Sequence, residues 1–310
     1  MENVTIDVII PTYRPGEKFQ KLMAGLKASA WPVSRILIMN TEKEFFPDRG
    51  YERQPGVKIV HLKKKEFDHG GTRDRAARQC RGDFLLFLTQ DAVPADENLV
   101  GNLLKAFEDP GVWAAYARQL PDQDCRFLEV YTRSFNYPAQ SRIKSAADLE
   151  RLGIKTFFCS NVCAMYRREI YERLGGFEKR TIFNEDMIFA AKMIRAGGSI
   201  AYCADAKVIH SHNYSCMEQL RRNFDLAVSQ ADHPEIFREI KSESEGIRLV
   251  KQTAGWLIRQ KKPWLIGELF VQSGFKYLGY LLGRRYQKLP AWLIRRLTMN
   301  QTYWDASAQK

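Results

Sequence analysis

The sequence predicts a doubly wound α/β domain, with a sheet flanked by helices, followed by a helical C-terminal extension. Three observations lead to this prediction. Short apolar runs alternate with helical patterns over the first ninety residues. Residues 6–10 and 83–89 are almost continuously apolar, as expected of strands buried on both faces. After Tyr214 the pattern is helical to the end of the chain.

Proline, glycine and helix-capping residues along the chain indicate where the predicted strands and helices begin and end. The first strand, residues 6–10, is closed by Pro11, and Pro15 opens a helical pattern. Gly70 and Gly71 precede helix-forming residues for which Thr72 supplies a hydroxyl cap. The further predicted strands are 36–39, 57–62, 83–89, 156–166 and 208–212, the further helices are 122–135 and 185–196, and 136–154 is predicted to be a mobile loop.

Length and composition favour a globular protein with one large domain and a smaller appendage. The chain has 310 residues, 45% of them hydrophobic and 27% charged. It begins with an apolar strand rather than a leader pattern, and its six cysteines show no C-x-x-C spacing. These features predict reduced thiols and a cytoplasmic location.

The net charge of +12 is concentrated near the C-terminus. Residues 246–297 contain eleven Lys or Arg and a single acid, Glu268. A motif that reads nucleic acid is missing from the sequence, so we expect no nucleic-acid partner. The same segment is rich in Trp, Leu, Ile and Tyr, which favours the anionic inner face of a membrane. Because Glu268, Gln272 and Lys276 interrupt its longest apolar run, we expect peripheral association rather than a transmembrane span.

Candidate site residues lie where predicted strands end. Open α/β sheets bind ligands beyond the carboxyl ends of their strands, which brings Thr12, Tyr13, Asn40, Thr41 and Asp91 to one rim. A carboxylate at the position of Asp91 can hold Mg²⁺ or Mn²⁺ against a diphosphate. The alternative is an aspartate that caps the following helix.

Two further clusters carry chemistry. Residues 68–73 form a glycine turn before a helix, with Arg73 in its first turn, an arrangement that suits an anion. Glu185 and Asp186 open another helix, where the helix dipole alone would justify two acids. His210 and His212 follow on a predicted strand, where they would share one face and could include a metal ligand.

The order of the motifs resembles a known family. They are VIIPTYR, FDHGGTRDRAA, GDFLLFLTQDAVP, NEDMIFAAKMIRAG and VIHSHNYS. Together they resemble the family 2 glycosyltransferases of the GT-A fold, and among these the bacterial rhamnosyltransferases of cell-wall polysaccharide and O-antigen synthesis. The resemblance covers residues 4 to about 225. It implies a Rossmann-like mixed sheet in a catalytic domain of residues 1–225, with a nucleotide-sugar half, 1–120, and an acceptor half, 121–225, followed by a basic helical extension, 226–310.

The resemblance also implies roles for single residues. Asp186 corresponds to the general base, and Glu185 to a residue that supports the acceptor or orients that base. The metal motif retains only Asp91 of its two usual acids, and His210 or His212 resembles the third metal contact. The implied donor-binding residues are Pro11, Thr12, Tyr13, Asn40, His69, Gly70, Arg73, Gln90 and Asp91. One base and one displacement imply inversion, so that dTDP-β-L-rhamnose would yield an α-L-rhamnoside.

Other functions remain as alternatives. A Rossmann oxidoreductase needs G-x-G-x-x-G after the first strand, where this chain has PTYRPG. A nucleotidyltransferase usually has a glycine- and lysine-rich signature that is missing here. A polysaccharide- or membrane-binding module explains the basic tail but not the grouped acids and histidines, and a UDP-hexose is the alternative donor. The expected partners are the nucleotide sugar, a saccharide or lipid-linked saccharide acceptor, the inner leaflet and, as an open option, a second copy of the chain.

Overall fold

The computed structural model describes residues 4–47, 50–237 and 243–307. The strands are β1 (Ile6–Tyr13), β2 (Arg35–Thr41), β3 (Val57–Leu62), β4 (Phe84–Leu88), β5 (Val93–Pro94), β6 (Val112–Leu120), β7 (Arg142–Lys144), β8 (Cys163–Arg167) and β9 (Ser199–Ile209). The helices are α1 (Glu17–Lys27), α2 (His69–Ala77), α3 (Leu99–Leu104), α4 (Phe127–Asn136), α5 (Leu149–Leu152), α6 (Arg168–Arg173), α7 (Glu185–Arg195), α8 (Cys216–Asp232), α9 (Pro234–Phe237), α10 (Glu243–Arg259), α11 (Leu265–Arg284), α12 (Ala291–Leu297) and α13 (Gln301–Ser307).

The strands form one mixed sheet in the order β3-β2-β1-β4-β8-β6-β9-β5, and β7 pairs with β9. The pairs β3–β2, β2–β1 and β1–β4 are parallel, as the apolar runs predicted. β8 is antiparallel to both β4 and β6. Because β1, β2 and β4 run the same way, the residues that follow them meet at one edge of the sheet.

Two compact units make up the chain. The sheet unit contains Met1–Asp122, Tyr137–Arg180 and Glu185–His210. The helical unit contains Gln123–Asn136, Thr181–Asn184 and Ser211–Lys310. The division into catalytic domain and extension near residue 225 stays a prediction about function.

The core of the sheet unit contains the two most apolar strands. Residues 6–10 of β1 and all of β4 are buried, because the sheet has side chains packed on both of its faces. The apolar face of α1 supplies Phe19, Leu22, Met23 and Leu26 to the same core. This packing holds the ends of β1 and β4 as a rigid base for the polar residues beyond them.

In the helical unit, α11 lies directly on α8 through two glycines. A Cβ at Gly279 would stand 2.1 Å from the carbonyl oxygen of Leu220, and one at Gly283 would stand 2.3 Å from that of Phe224. Glycine at both positions therefore permits the close approach of the two helices. Within the described residues, no helix is both long and apolar enough to cross a membrane.

Several predicted boundaries were wrong. Helix α2 begins at His69 rather than Thr72, so Gly70 and Gly71 lie inside its first turn. Asp68 is the N-cap and accepts a hydrogen bond from the Gly71 N–H, a geometry that an aspartate supplies as well as a threonine. Strand β9 ends at Ile209, so His210 and His212 follow the strand instead of sharing one of its faces.

Two predictions for the middle of the chain were also wrong. The segment 136–154, predicted to be a mobile loop, contains β7 and α5. The strand predicted over 156–166 begins only at Cys163, because Gly153–Phe157 forms a 3₁₀ helix. Alternating polarity over a few residues does not distinguish these structures.

Candidate active site

The predicted base-binding residues meet at the ends of β1 and β2. The buried Thr12 hydroxyl donates to Asn40 Oδ1 at 3.0 Å, and the two residues are register partners in the sheet. Asn40 Nδ2 in turn donates to the Glu42 carbonyl oxygen at 3.1 Å and lies 3.0 Å from His61 Nδ1. The amide of Asn40 is therefore held between three neighbouring segments, as a rigid rim requires.

Gln90 joins the ends of β1 and β4. Its Oε1 accepts from the Tyr13 backbone N–H at 2.9 Å, and its Nε2 donates to the Tyr13 carbonyl oxygen at 3.0 Å. A carboxylate could accept the first of these bonds but could not donate the second. The glutamine at the position of the missing acid thus has a structural role in this chain.

An aromatic pair is exposed at the same end of the sheet. Tyr13 is 37% exposed and Phe45 is 38% exposed, and their rings meet edge to face at 5.9 Å. The guanidinium of Arg14 lies 4.2 Å from the centre of the Phe45 ring, and the ammonium of Lys64 lies 5.8 Å from the centre of the Tyr13 ring. Exposed rings beside cations are suited to stack a nucleobase and attract phosphate.

Asp91 and His210 form the second group. His210 Nε2 lies 3.5 Å from Asp91 Oδ2, and His210 is buried. On the other side of the ring, His210 Nδ1 lies 3.0 Å from Gln119 Oε1. The Gln119 amide nitrogen donates to Tyr137 and Ser160, so its oxygen is the acceptor for the imidazole N–H. This network directs the Nε2 atom of His210 towards Asp91, the orientation that a metal-binding histidine needs.

His212 lies two residues beyond His210 and belongs to the helical unit. There its ring stacks on Tyr214 at 5.0 Å. Its predicted role as a metal ligand stays a prediction.

The two predicted catalytic acids open helix α7. Glu185 is buried and pairs with the equally buried Arg73, Oε1 to Nη1, at 3.2 Å. Arg73 Nη1 also donates to the His69 carbonyl oxygen at 2.9 Å. Helix α2 therefore supplies the counter-charge for a carboxylate on α7, which joins two motifs separated by more than one hundred residues.

Gly70 makes this contact possible. A Cβ at Gly70 would stand 1.8 Å from the Glu178 carbonyl oxygen and 3.3 Å from the Glu185 Cβ. A distance of 1.8 Å to a backbone atom is a severe clash. Glycine at position 70 is thus required for α2 to lie against Glu185.

The electrostatics of the two acids differ. Burial acts to raise the pKa of Glu185, but the charges of Arg73 and His69 outweigh it and hold that pKa below its usual value. For Asp186, burial and then the charge of Glu185 raise the pKa to about 7. One acid is therefore ionised at neutral pH, while its neighbour changes its charge there.

Asp186 is also fixed in position. Its Oδ2 accepts from the Asn161 backbone N–H at 3.1 Å, and its Oδ1 accepts from the Met187 N–H at 2.8 Å. The side-chain amide of Asn161 donates to Glu185 Oε1 at 3.3 Å. Asn161 thus holds both acids.

Sequence reasoning missed Gln119, Asn161 and His61. The first is the one amide in the otherwise apolar and basic strand β6, a signal that could have been noticed. The other two have no motif around them, and only the folded chain brings them to the site. The predicted roles of Pro11, His69 and the other donor-binding residues stay predictions.

The mixed sheet, with polar residues beyond its parallel strands and an acid pair at the start of a following helix, defines a GT-A glycosyltransferase. The chain belongs to glycosyl transferase family 2, whose model matches residues 7–175. The predicted fold and enzyme class are therefore confirmed.

Two relatives are similar over almost the whole chain. The O-antigen chain rhamnosyltransferase RfbN of Salmonella typhimurium is 41% identical over 303 residues, which cover 97% of this chain and 96% of the relative. The O-antigen chain rhamnosyltransferase WbaN of Salmonella anatum is 38% identical over 301 residues, which cover 96% and 95%.

Solved structures share the fold. The mannosyltransferase PcManGT of Pyrobaculum calidifontis, solved with GDP-Man and Mn²⁺, has a TM-score of 0.56 at 18% identity and covers 99% of this chain and 86% of its own. TarS 1-349 of S. aureus with UDP-GlcNAc has a TM-score of 0.52 at 14% identity and covers 92% of this chain and 91% of its own.

Proposed function

We propose that this glycosyltransferase moves L-rhamnose from dTDP-β-L-rhamnose to a hydroxyl of a saccharide acceptor, with inversion, during polysaccharide synthesis. The similarity to two O-antigen chain rhamnosyltransferases over nearly full length supports the sugar and the setting. The observation that carries the mechanism is the acid pair, in which Asp186 titrates near pH 7 beside an ionised Glu185.

Asp186 is the proposed general base. A sugar hydroxyl is a weak nucleophile until a carboxylate takes its proton, and a base works best when its pKa lies near the working pH. In one displacement, the acceptor oxygen bonds to the anomeric carbon and its proton passes to the Asp186 carboxylate. The bond from that carbon to the diphosphate oxygen breaks, and its electron pair leaves with dTDP. A single displacement of this kind inverts the anomeric carbon.

Glu185 and Arg73 are proposed to support this base. The Glu185 charge raises the pKa of Asp186, and the Arg73 guanidinium keeps Glu185 ionised. Asn161 holds both acids in place through its backbone and its side chain. Of the two roles predicted for Glu185, this arrangement favours orienting the base, whose pKa Glu185 also raises, over supporting the acceptor.

A divalent cation, Mn²⁺ or Mg²⁺, is proposed to bind at Asp91 and His210, with His212 as a further candidate ligand. The donor set fits, because a carboxylate oxygen of Asp91 and the imidazole Nε2 of His210 lie 3.5 Å apart. When bound, the cation would neutralise charge on the leaving diphosphate. Gln119 would orient His210 for this role.

The donor nucleotide is proposed to bind at the ends of β1, β2 and β4. Thr12 and Asn40 form the fixed rim, Pro11 and Tyr13 end the first strand, and Gln90 holds Tyr13 in place. The exposed Tyr13 and Phe45 rings offer faces for the base. His69 and Gly70 are proposed to lie near the sugar, because α2 abuts the acid pair.

The acceptor is proposed to be a lipid-linked saccharide, which would require the protein to work at the inner face of the plasma membrane. No second copy of the chain is needed for the proposed chemistry.

Turnover rates measured with a panel of nucleotide-sugar donors test the proposed rhamnosyl transfer. We expect dTDP-β-L-rhamnose to be turned over much faster than UDP-glucose, UDP-GlcNAc or GDP-mannose, with release of dTDP. Asp186→Asn should lose activity, while the control Asp205→Asn, at an exposed acid of the same unit, should not. If a UDP-hexose were turned over as fast as dTDP-β-L-rhamnose, the proposed donor would be wrong. Full activity of Asp186→Asn would exclude Asp186 as the base.

A further inference from the structure

Helix α11 directs Gln272 and Lys276 of its polar stripe towards protein, while Glu268 at the start of the stripe is exposed. Gln272 and Lys276 lie one turn apart, on the side where Gly279 and Gly283 contact α8. Burial lowers the pKa of Lys276, and Glu129, Arg133, Arg222 and Cys216 of the same unit surround it. A helix that turns its polar side inwards leaves its apolar side outwards.

The outward face of α11 is a continuous apolar stripe. Phe270 is 61% exposed, Val271 54%, Tyr277 54%, Leu278 47% and Leu281 36%. At 100° per residue these side chains fall within about one third of the helix circumference. A contiguous exposed stripe of large apolar residues, unlike a scattered one, marks a surface that binds something.

Basic residues stand at both ends of this stripe. Arg259 and Lys261 precede the helix, Arg284 ends it, Arg285 and Lys288 follow it, and all five are exposed. Trp264, immediately before the helix, is 70% exposed. Tryptophan and long basic side chains at the ends of an apolar face are typical of a helix that lies in a membrane interface.

We propose that the α11 face, defined as Phe270, Val271, Tyr277, Leu278 and Leu281, docks on an anionic lipid bilayer with the helix parallel to the surface.

The basic residues around the α11 face favour a lipid bilayer over a second copy of the chain. Two copies of the chain meeting through this face would bring two basic sets together, whereas anionic headgroups complement them. The twenty-residue helix is about 30 Å long, and lying flat it can immerse the whole stripe while the basic ends reach headgroups. The proposal deepens the proposed function and rests on it, because a lipid-linked acceptor lies at such a surface.

Vesicle flotation of the full chain tests the surface without any use of activity. Wild-type protein should float with vesicles that contain phosphatidylglycerol and only weakly with pure phosphatidylcholine vesicles, and 0.5 M NaCl should weaken binding, since salt at this level screens surface charge. Phe270→Ser combined with Leu278→Ser should abolish flotation. The triple variant R284Q/R285Q/K288Q should weaken binding to anionic vesicles by roughly 100-fold, since each basic residue contributes about fivefold.

Matched controls exclude general effects. K27Q/R81Q/K105Q removes the same charge from exposed positions of the sheet unit, and Ile143→Ser removes an exposed apolar side chain there. Both should float as wild type does. Donor turnover without vesicles should be unchanged in all variants, so that failure of the proposed function and failure of the surface can be told apart.

Three results would overturn the proposal. Wild type could fail to float with anionic vesicles at low salt, or F270S/L278S could float unchanged. Light scattering could instead reveal a wild-type dimer that F270S/L278S dissociates, without flotation, which would assign the face to a second copy of the chain.

Discussion

The buried ion pair between Arg73 and Glu185 allows a quantitative prediction. The two side chains are 7% and 8% exposed, and their charged atoms lie 3.2 Å apart. Replacing Arg73 by Met keeps most of the side-chain volume but leaves the Glu185 carboxylate buried without its counter-charge. Breaking a buried pair in this way costs about 3–5 kcal/mol. That loss is a large part of the roughly 5–15 kcal/mol that stabilises a typical domain.

Urea unfolding at pH 7.5, followed by circular dichroism, measures this loss. Arg75→Met is the matched control, because Arg75 lies exposed on the same helix, and it should change the free energy of unfolding by less than about 0.5 kcal/mol. Adding Glu185→Gln to Arg73→Met removes the orphaned charge and should restore much of the lost stability.

The pH dependence of Arg73→Met provides a second check. Without the guanidinium, we expect burial to outweigh the charge of His69 and the hydrogen bond from Asn161, so that the folded-state pKa of Glu185 rises above its unfolded value. The folded state then binds the proton more tightly, so the stability of the variant should fall as pH rises above the ordinary glutamate pKa of 4.5. A loss below about 1 kcal/mol at pH 7.5, or no recovery on adding Glu185→Gln, would refute a buried ion pair of this importance.

Four further predictions concern the site. Asp186→Asn should lower kcat by about 10²–10⁴-fold, and turnover of this variant within threefold of wild type would exclude Asp186 as the base. The wild-type kcat should rise with pH up to about 7, where Asp186 ionises. The folded-state pKa of Asp186, about 7, lies above the ordinary value of 3.8. Wild-type stability relative to Asp186→Asn should therefore fall as pH rises from about 4 to about 7, which urea unfolding at several pH values would measure. Asp91→Ala should weaken Mn²⁺ and donor binding in calorimetry, and EDTA should stop wild-type turnover until Mn²⁺ or Mg²⁺ is restored; full activity in chelator would contradict a metal role. Gly70→Ala should cost at least about 1–3 kcal/mol because of its clash with Glu178, whereas Gly101→Ala, with open space around it, should be neutral or slightly stabilising in thermal unfolding.

Much of the fold could be predicted because its signals are local. Continuous apolar runs indicated β1 and β4, and α7 was predicted within one residue of its observed end. The antiparallel insertion of β8 between β4 and β6 could not be predicted from its own five residues. Strand direction depends on which distant partner a strand meets, and short apolar segments contain no information about that.

The site was predictable where it follows strand ends and not where it depends on tertiary contacts. Thr12 and Asn40 were expected at one rim, and they are hydrogen bonded there. The sequence predicted that Arg73 suits an anion, and in the folded chain the anion beside it is the Glu185 carboxylate, a partner that no local pattern reveals. Its predicted role in donor binding stays a prediction.

Helix α11 illustrates the same limit. Its narrow polar stripe was evident in the sequence, but the side on which that stripe would lie was not. Gly279 and Gly283 determine it, because they permit the backbone of α8 to approach on the polar side. The structural role of a glycine in a helix depends on which neighbouring element packs against it.

The anomeric configuration of the product tests the proposed function most directly. Transfer from dTDP-β-L-rhamnose to a synthetic lipid-linked saccharide, followed by NMR of the purified product, reports the configuration through the one-bond coupling between the anomeric carbon and its hydrogen. We expect wild type and Asp205→Asn to form an α-L-rhamnoside and Asp186→Asn to form almost none. A β-L-rhamnoside, or an α-L-rhamnoside formed at the wild-type rate by Asp186→Asn, would contradict a single displacement driven by that base.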